Sequence, residues 1–173
     1  AFFEANDITG FFYIGGNDSM DTVLQLSTYA KLHEKSVTIM GVPKTIDNDL
    51  CLTDHTPGFG SAAKYIATTL QEIAYDTSIY PLPSVTIVEI MGRDAGWLTG
   101  AATLARTDYG LGPDLIYLPE VAFDIDHFIE RLDVLQRAKA GVVIAVSEGV
   151  RVHDGRYVCE LTEELGPVDA FGH

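Results

Sequence analysis

The sequence predicts an α/β protein with mainly parallel sheets flanked by helices. Two observations carry that expectation. Short apolar runs alternate with helical stripes along most of the chain, the pattern of β-α-β units. Four of the runs end in polar or glycine-rich tips, as strands do where they feed a loop at a ligand edge.

Taken in order, Gly10 to Ile14 (G-F-F-Y-I) is the first strand, rich in aromatic and branched residues. Gly15-Gly16 is a tight turn, and Asn17, Asp18 and Ser19 are each able to cap the helix that begins there. Met20, Val23 and Leu24 give that helix its apolar face. Ser36 to Met40 is the second strand, which Gly41 and Pro43 are expected to end. A loop carrying Lys44, Thr45, Asp47 and Asp49 follows, and loop material continues from Thr53 to Gly60. From Phe59, residues Ala62, Ala63, Ile66, Ala67, Leu70, Ile73 and Ala74 form the clearest helical stripe. Tyr80-Pro81-Leu82-Pro83 breaks the pattern and marks the domain crossover.

Beyond it, Ser84 to Ile90 is a strand leading into Met91-Gly92-Arg93-Asp94. A short helix is expected over about Trp97 to Ala105, a strand over Asp114 to Leu118 and a helix over about Asp124 to Ala138. Phe128, Leu132 and Leu135 share one side of that helix. Gly141 to Val146 is a buried strand ended by Ser147-Glu148-Gly149. Asp154-Gly155 suggests a hairpin turn, and Glu160 to Glu164 a further helical turn.

Composition narrows the function classes. With 173 residues, 47% hydrophobic and 21% charged, the chain can build a core. Its net charge of −14, with only 11 Lys and Arg, argues against binding the nucleic-acid backbone. No apolar run approaches the roughly 18 residues of a membrane span. Cys51 and Cys159 lie far apart with no C-x-x-C, so two buried or idle thiols in a cytoplasmic protein are expected. The five histidines show no metal spacing. Both ends of the chain read as cuts through a longer protein.

The tips carry the chemistry. Gly15 and Gly16 let backbone N–H groups approach a phosphate at a helix N-terminus. Asp18 sits awkwardly there, because a carboxylate repels a phosphate unless a divalent cation intervenes or the site must refuse one. Lys44 suits charge that builds up in phosphoryl transfer. Asp47 or Asp49 is suited to act as general base, or to hold Mg²⁺ through water, and periodicity does not choose between them. Arg93 is able to pair with a phosphate, or simply with Asp94. Glu148 is either an acceptor for sugar hydroxyls or a capping carboxylate.

I-G-G-N-D-S (14–19), P-K-T-I-D-N-D (43–49), V-E-I-M-G-R (88–93) and S-E-G (147–149) occur in an order and spacing that resembles the phosphofructokinase family. The resemblance covers nearly the whole chain. It implies parts of two Rossmann-like domains, with residues 1–80 in a phosphoryl-donor domain and 81–173 in a sugar-phosphate domain. It implies phosphorylation of the 1-hydroxyl of fructose 6-phosphate, with Mg²⁺, in a cytoplasmic homo-oligomer of glycolysis. Asp47 matches the family's catalytic base. Thr45, Asp47, Met91, Gly92, Arg93, Glu148 and His173 match its sugar-phosphate positions, and Gly15, Gly16, Asp18 and Lys44 its donor positions.

Asp18 and Lys44 stand where ATP-dependent members usually carry glycine, and that pair is similar to the pyrophosphate-dependent branch. A carboxylate at 18 occupies and repels the place of an α-phosphate, and Lys44 adds charge toward a donor without a nucleotide anchor. The alternatives are an ATP-dependent member and a non-catalytic sugar-phosphate-binding or assembly fragment. Asn17 replaces an Asp that many members use toward magnesium, which shifts weight to Asp49 in the metal's second shell. Ser84 stands where many ATP-dependent members have an Arg that reaches a neighbouring subunit. Family members usually exceed 300 residues, so the chain resembles the middle of the enzyme, with apolar sheet edges bare and no turnover expected of it alone.

Overall fold

The computed structural model describes residues 2–106, 108 and 110–165, the last four as backbone only. Two parallel sheets organise them, as the alternating pattern predicts. The first holds β1 (Gly10–Gly15) and β2 (Thr38–Pro43), paired from Gly10 with Thr38 to Gly15 with Pro43. The second has the order β3-β5-β4, with β3 (Ser84–Ile90), β4 (Leu115–Tyr117) and β5 (Gly141–Ser147).

After a short α1 (Phe2–Ala5), β1 leads directly into α2 (Asn17–Leu32). Gly15 ends the strand and Gly16 is the N-cap, without any side-chain capping bond, so Asn17, Asp18 and Ser19 lie in the first turn and do not cap it. The half-buried and buried positions of α2 are Ser19, Met20, Val23, Ser27 and Ala30, while Leu24 is exposed. Helical spacing admits either stripe, and contact with β2 selects this one. The contact also corrects the expected end of β2. Gly41 does not stop the strand: it makes room for α2, because a Cβ there would lie 2.6 Å from Met20 Sδ. Pro43 is tolerated as the strand's last residue in a two-stranded sheet. On the other face of the pair, Phe12, Ile14, Met40 and Val42 stand exposed as cross-strand neighbours.

The second sheet is covered on both faces around its central strand. β5 is the only strand here with four consecutive buried residues, Val142 to Ala145 among the described residues, which explains its unbroken apolar run. On one face α3 (Phe59–Ile79), α4 (Trp97–Gly100) and the following 3-10 turn (Ala101–Ala105) pack on it. Leu70, Ala74, Leu98, Ala102 and Ala105 meet Ile90, Val143 and Ala145 there. The other face takes α5 (Ile125–Ala138), whose Phe128, Leu132 and Leu135 pack on Leu115, Val142 and Ile144. The Asp124 carboxylate caps α5 by accepting from the His127 N–H at 2.9 Å.

α3 thus belongs to the core of the second sheet although it precedes the Pro81–Pro83 break. Its last turn is fitted against β5 so closely that a Cβ on Gly141 would lie 2.7 Å from Thr77 O. β4 is shorter than expected: Asp114 stays bonded to β5 through its N–H to Val143 O (2.7 Å), but its side chain, not its backbone, accepts from Val143 N–H (2.9 Å) and pairs with Lys139 (2.6 Å). The Asp154-Gly155 turn forms as expected, with Gly155 at φ +88° between bridged Arg151 and Tyr157. The chain from Val158 to Leu165 is a 3-10 helix. Cys51 and Cys159 are both exposed, so of the two expectations, buried or idle thiols, burial does not hold. No helix among the described residues is long and apolar enough to cross a membrane.

Candidate functional site

At the C-terminal edge of the first sheet, the Lys44 N–H donates to Gly15 O at 2.9 Å. That bond carries the strand pairing one residue past β2 and lays the Lys44 loop against the start of α2. Gly15 is buried, and a Cβ on it would lie 2.1 Å from Ser19 Oγ. Asn17 and Asp18 are exposed in the first turn of α2, whose N–H groups have no side-chain cap. Lys44 is exposed too and makes no ion pair among the described residues.

The loop then folds on itself. Thr45 Oγ1 accepts from the Asp47 N–H at 3.0 Å. Asn48 has φ +61° and is only 7% exposed. Its Oδ1 accepts from Thr56 N–H at 2.9 Å and Thr56 Oγ1 at 3.4 Å, and its Nδ2 donates to Asp54 O at 3.2 Å. Asp47 and Asp49 therefore flank a buried amide that ties the loop shut. Asp47 Oδ1 is itself buried without a hydrogen-bond partner. Burial raises the Asp47 pKa above the ordinary carboxylate value. The Asp49 and Glu148 charges push it the same way, and the Thr45 hydroxyl and Lys44 ammonium oppose them.

Glu148 belongs to the second sheet, so the loop after β2 comes under the electrostatic influence of the tip of β5. There Glu148 N–H continues the ladder to Ile90 O at 2.9 Å, and Glu148 Oε1 accepts from Gly92 N–H at 3.0 Å. Ser147 Oγ donates to Gly92 O at 2.6 Å and accepts from Gly149 N–H at 3.1 Å. Gly92 has φ +123°, which an L side chain rarely adopts. At the far end of the same loop, Glu120 Oε1 after β4 accepts from Gly96 N–H at 2.7 Å. Two carboxylates thus pin the loop that bears Arg93 at both ends.

Arg93 is exposed and makes no ion pair among the described residues. Asp94 does not take it. Asp94 pairs instead with Arg151 Nη2 at 2.9 Å, and Arg151 lies over the Tyr157 ring at 3.9 Å. Arg93, Glu148, Phe123, Val150 and Tyr157 line a cavity of about 560 Å³, within the range of small-molecule sites. Met91 is exposed and lines a different cavity, with Ile46, Ile66 and Leu98, and His173 lies outside the described residues.

Of the residues expected from sequence, Gly15, Gly16, Asp18 and Lys44 gather at one sheet edge. Met91, Gly92, Arg93 and Glu148 gather at the other, with Asp47 under the influence of Glu148. Sequence reasoning gave no role to Asn48, Glu120, Ser147, Gly149 or Arg151. Asn48 had one usable signal, since Asn tolerates positive φ better than most residues.

Two parallel sheets flanked by helices, with glycine-bearing loops and carboxylates at their C-terminal edges, define an α/β protein. The chain belongs to the phosphofructokinase family, whose model, described as Phosphofructokinase, matches residues 1–171. It is similar to the pyrophosphate–fructose 6-phosphate 1-phosphotransferase of Halomonas elongata, 43% identical over 99% of this chain and 40% of that protein. That of Xanthomonas campestris is 44% identical over 98% of this chain and 40% of its own length. Among solved structures, the pyrophosphate-dependent phosphofructokinase of Nitrosospira multiformis matches with TM-score 0.73 and 37% identity, over 94% of this chain and 43% of that one. An ATP-dependent 6-phosphofructokinase of Clostridium perfringens is 34% identical over 89% of this chain. The chain spans about two fifths of the length of these curated relatives.

Proposed function

We propose that this chain carries the central chemistry of an enzyme that moves a phosphoryl group from pyrophosphate to the 1-hydroxyl of fructose 6-phosphate, giving fructose 1,6-bisphosphate. The observation that carries this reading is the Asp47 carboxylate. It has a buried, unpartnered oxygen and a raised pKa, on a loop that also presents Lys44. Asp47 takes the proton of the attacking hydroxyl. Its raised pKa makes it a stronger base than a solvated aspartate. Lys44 draws the donor's charge toward the reacting phosphorus. Gly15 and Gly16 bring the first-turn N–H groups of α2 to the donor phosphates. Asp18 stands where a longer donor's next phosphate would lie and repels it, which selects pyrophosphate over ATP.

Arg93, with Met91 and Gly92, holds the sugar phosphate. The second oxygen of Glu148, with Thr45 and His173, accepts or donates to the sugar. α3 packs with β3, β4 and β5, which supports assigning it to the sugar-phosphate half from about residue 59 onward.

Among the described residues no three His, Cys, Asp or Glu side chains are grouped to cage a metal. Mg²⁺ needs no such cage, since it binds through one or two carboxylates, several waters and the donor's own phosphates. Asp49, exposed on the same loop, fits an ion held in that way through water, with Asn17, exposed at the start of α2, contributing an amide oxygen. When bound, Mg²⁺ neutralises charge on the donor phosphates. The enzyme is read as a cytoplasmic homo-oligomer of glycolysis by likeness to the family.

Steady-state assays of the full-length protein with each donor test the reading. Turnover with pyrophosphate and Mg²⁺ and little with ATP is expected. Comparable rates with ATP would overturn the donor assignment.

A further inference from the structure

Asn48 lies between the two aspartates of the loop, yet its side chain points away from them into a closed hydrogen-bond set. It is 93% buried by its 7% exposure, held at φ +61°, and its amide uses both ends: Oδ1 for two donors of Thr56 and Nδ2 for Asp54 O. Buried amides are kept where their bonds are satisfied, and here three bonds span six to eight residues of sequence. The alternative way to order this segment would be regular secondary structure, and residues 44–58 contain none. The direction in which the chain leaves Thr45, and hence the position of the adjacent carboxylate, therefore depends on this amide.

We propose that Asn48 is a positioning residue for the transfer reaction: by clamping Asp54 and Thr56 it fixes Asp47 where its unpartnered oxygen can meet the sugar hydroxyl. The inference rests on Asp47 acting as the base. Asn48 is buried at its left-handed φ, while Asp47 before it is half-buried and feels the Glu148 charge. Ile46 reinforces the closure, since its Cγ2 lies 3.1 Å from where a Cβ on Gly58 would stand.

The test compares Asn48→Gly, Asn48→Asp and Asp47→Asn in the full-length protein, with kcat, both KM values and amide hydrogen exchange at Thr56. Asn48→Gly keeps the positive φ but removes all three bonds. Misplacing a reacting group by about 1 Å costs on the order of a hundredfold in rate. A fall of that order in kcat is expected, with KM for pyrophosphate changed less than about threefold and faster exchange at Thr56. Asn48→Asp keeps the acceptor for Thr56 but loses the donor to Asp54 O, so it should recover about tenfold of the lost kcat and stay below wild type. A merely structural residue would lower the folded fraction without that split or that rescue.

Wild-type kcat in Asn48→Gly with Thr56 exchange accelerated, or no rescue by Asn48→Asp, overturns the proposal. If Asn48→Gly does not fold, Asn48→Asp decides alone: reduced kcat at unchanged pyrophosphate KM supports it, and wild-type kcat overturns it. Asp47→Asn separates the two readings. Full turnover in that variant removes the base itself, whereas its loss beside an unaffected Asn48→Gly removes only the role given to Asn48.

Discussion

Glu148 Oε1 accepts the Gly92 N–H at 3.0 Å, joining the tips of two parallel strands across 56 residues of sequence. One oxygen of Glu148 thus holds a turn, the capping reading of that residue. Its second oxygen has no hydrogen bond among the described residues. Glu148→Gln keeps an acceptor for Gly92 and should hold the Arg93 loop in place. Glu148→Ala removes it, and a hydrogen bond to a charged group contributes about 1.5–3 kcal/mol. We expect KM for fructose 6-phosphate to rise about tenfold or more in Glu148→Ala and clearly less in Glu148→Gln. Equal effects in the two variants would mean that Glu148 serves the sugar by charge alone.

The pH dependence follows from Asp47. Its pKa is raised by burial first, then by Asp49 and Glu148, against the Thr45 hydroxyl and Lys44. A base must be ionised, so kcat should rise with pH along an acid limb above the usual carboxylate value of about 4. Glu148→Gln removes one of the two negative neighbours and should move that limb downward. For stability the sign is the reverse of a salt-bridged aspartate. The contribution of Asp47 is fully present below the unfolded carboxylate pKa and is lost as pH rises through the raised folded value. Asp47→Asn should therefore be as stable as wild type or more so at neutral pH, with that advantage fading on acidification. Denaturant midpoints of both proteins at the two ends of this window give the answer; a variant less stable at neutral pH contradicts it.

Glycines test the packing independently of catalysis. A Cβ on Gly149 would lie 1.6 Å from Arg93 O, a backbone atom that cannot swing aside. Gly60, in the first turn of α3, has nothing within 4 Å of that position. Gly149→Ala should destabilise by roughly 1–3 kcal/mol or more, as overpacking does, and disturb the Arg93 loop. Gly60→Ala should stabilise by up to about 1 kcal/mol through helix propensity. Opposite shifts in Tm are expected, and a neutral Gly149→Ala would refute the packing of these two tips.

What was legible in the sequence was what local pattern encodes. The unbroken apolar run of β5 announced a strand covered on both faces, and the stripe from Ala62 to Ala74 announced α3. The motifs located both sheet edges. What failed depended on partners distant in sequence. Gly41 reads as a strand breaker until Met20 is seen above it. That α3, ahead of Pro81 and Pro83, shares a core with β5 was not legible either, because burial follows whichever sheet offers an apolar face. The roles of Asn48 and Glu120 were not legible, since they lie in bonds to backbone atoms eight and 24 residues away.

Donor choice is the sharpest test of Asp18 and Lys44. The Lys44 N–H to Gly15 O bond brings their two loops together at the start of α2, where both side chains are exposed. If Asp18 excludes a longer donor and Lys44 serves the short one, they act by opposite charges and separate by substitution. Lys44→Gly should lower kcat with pyrophosphate by about 10²–10³-fold, the scale of removing one stabiliser of transition-state charge. Asp18→Gly alone should leave pyrophosphate turnover largely in place and admit ATP, read as the appearance of ATP-dependent fructose 1,6-bisphosphate formation. The double variant should favour ATP over pyrophosphate. Conversely, if neither substitution shifts the ratio of kcat/KM for the two donors, the distinction lies in residues beyond these two tips, and repulsion by Asp18 is not what keeps ATP out.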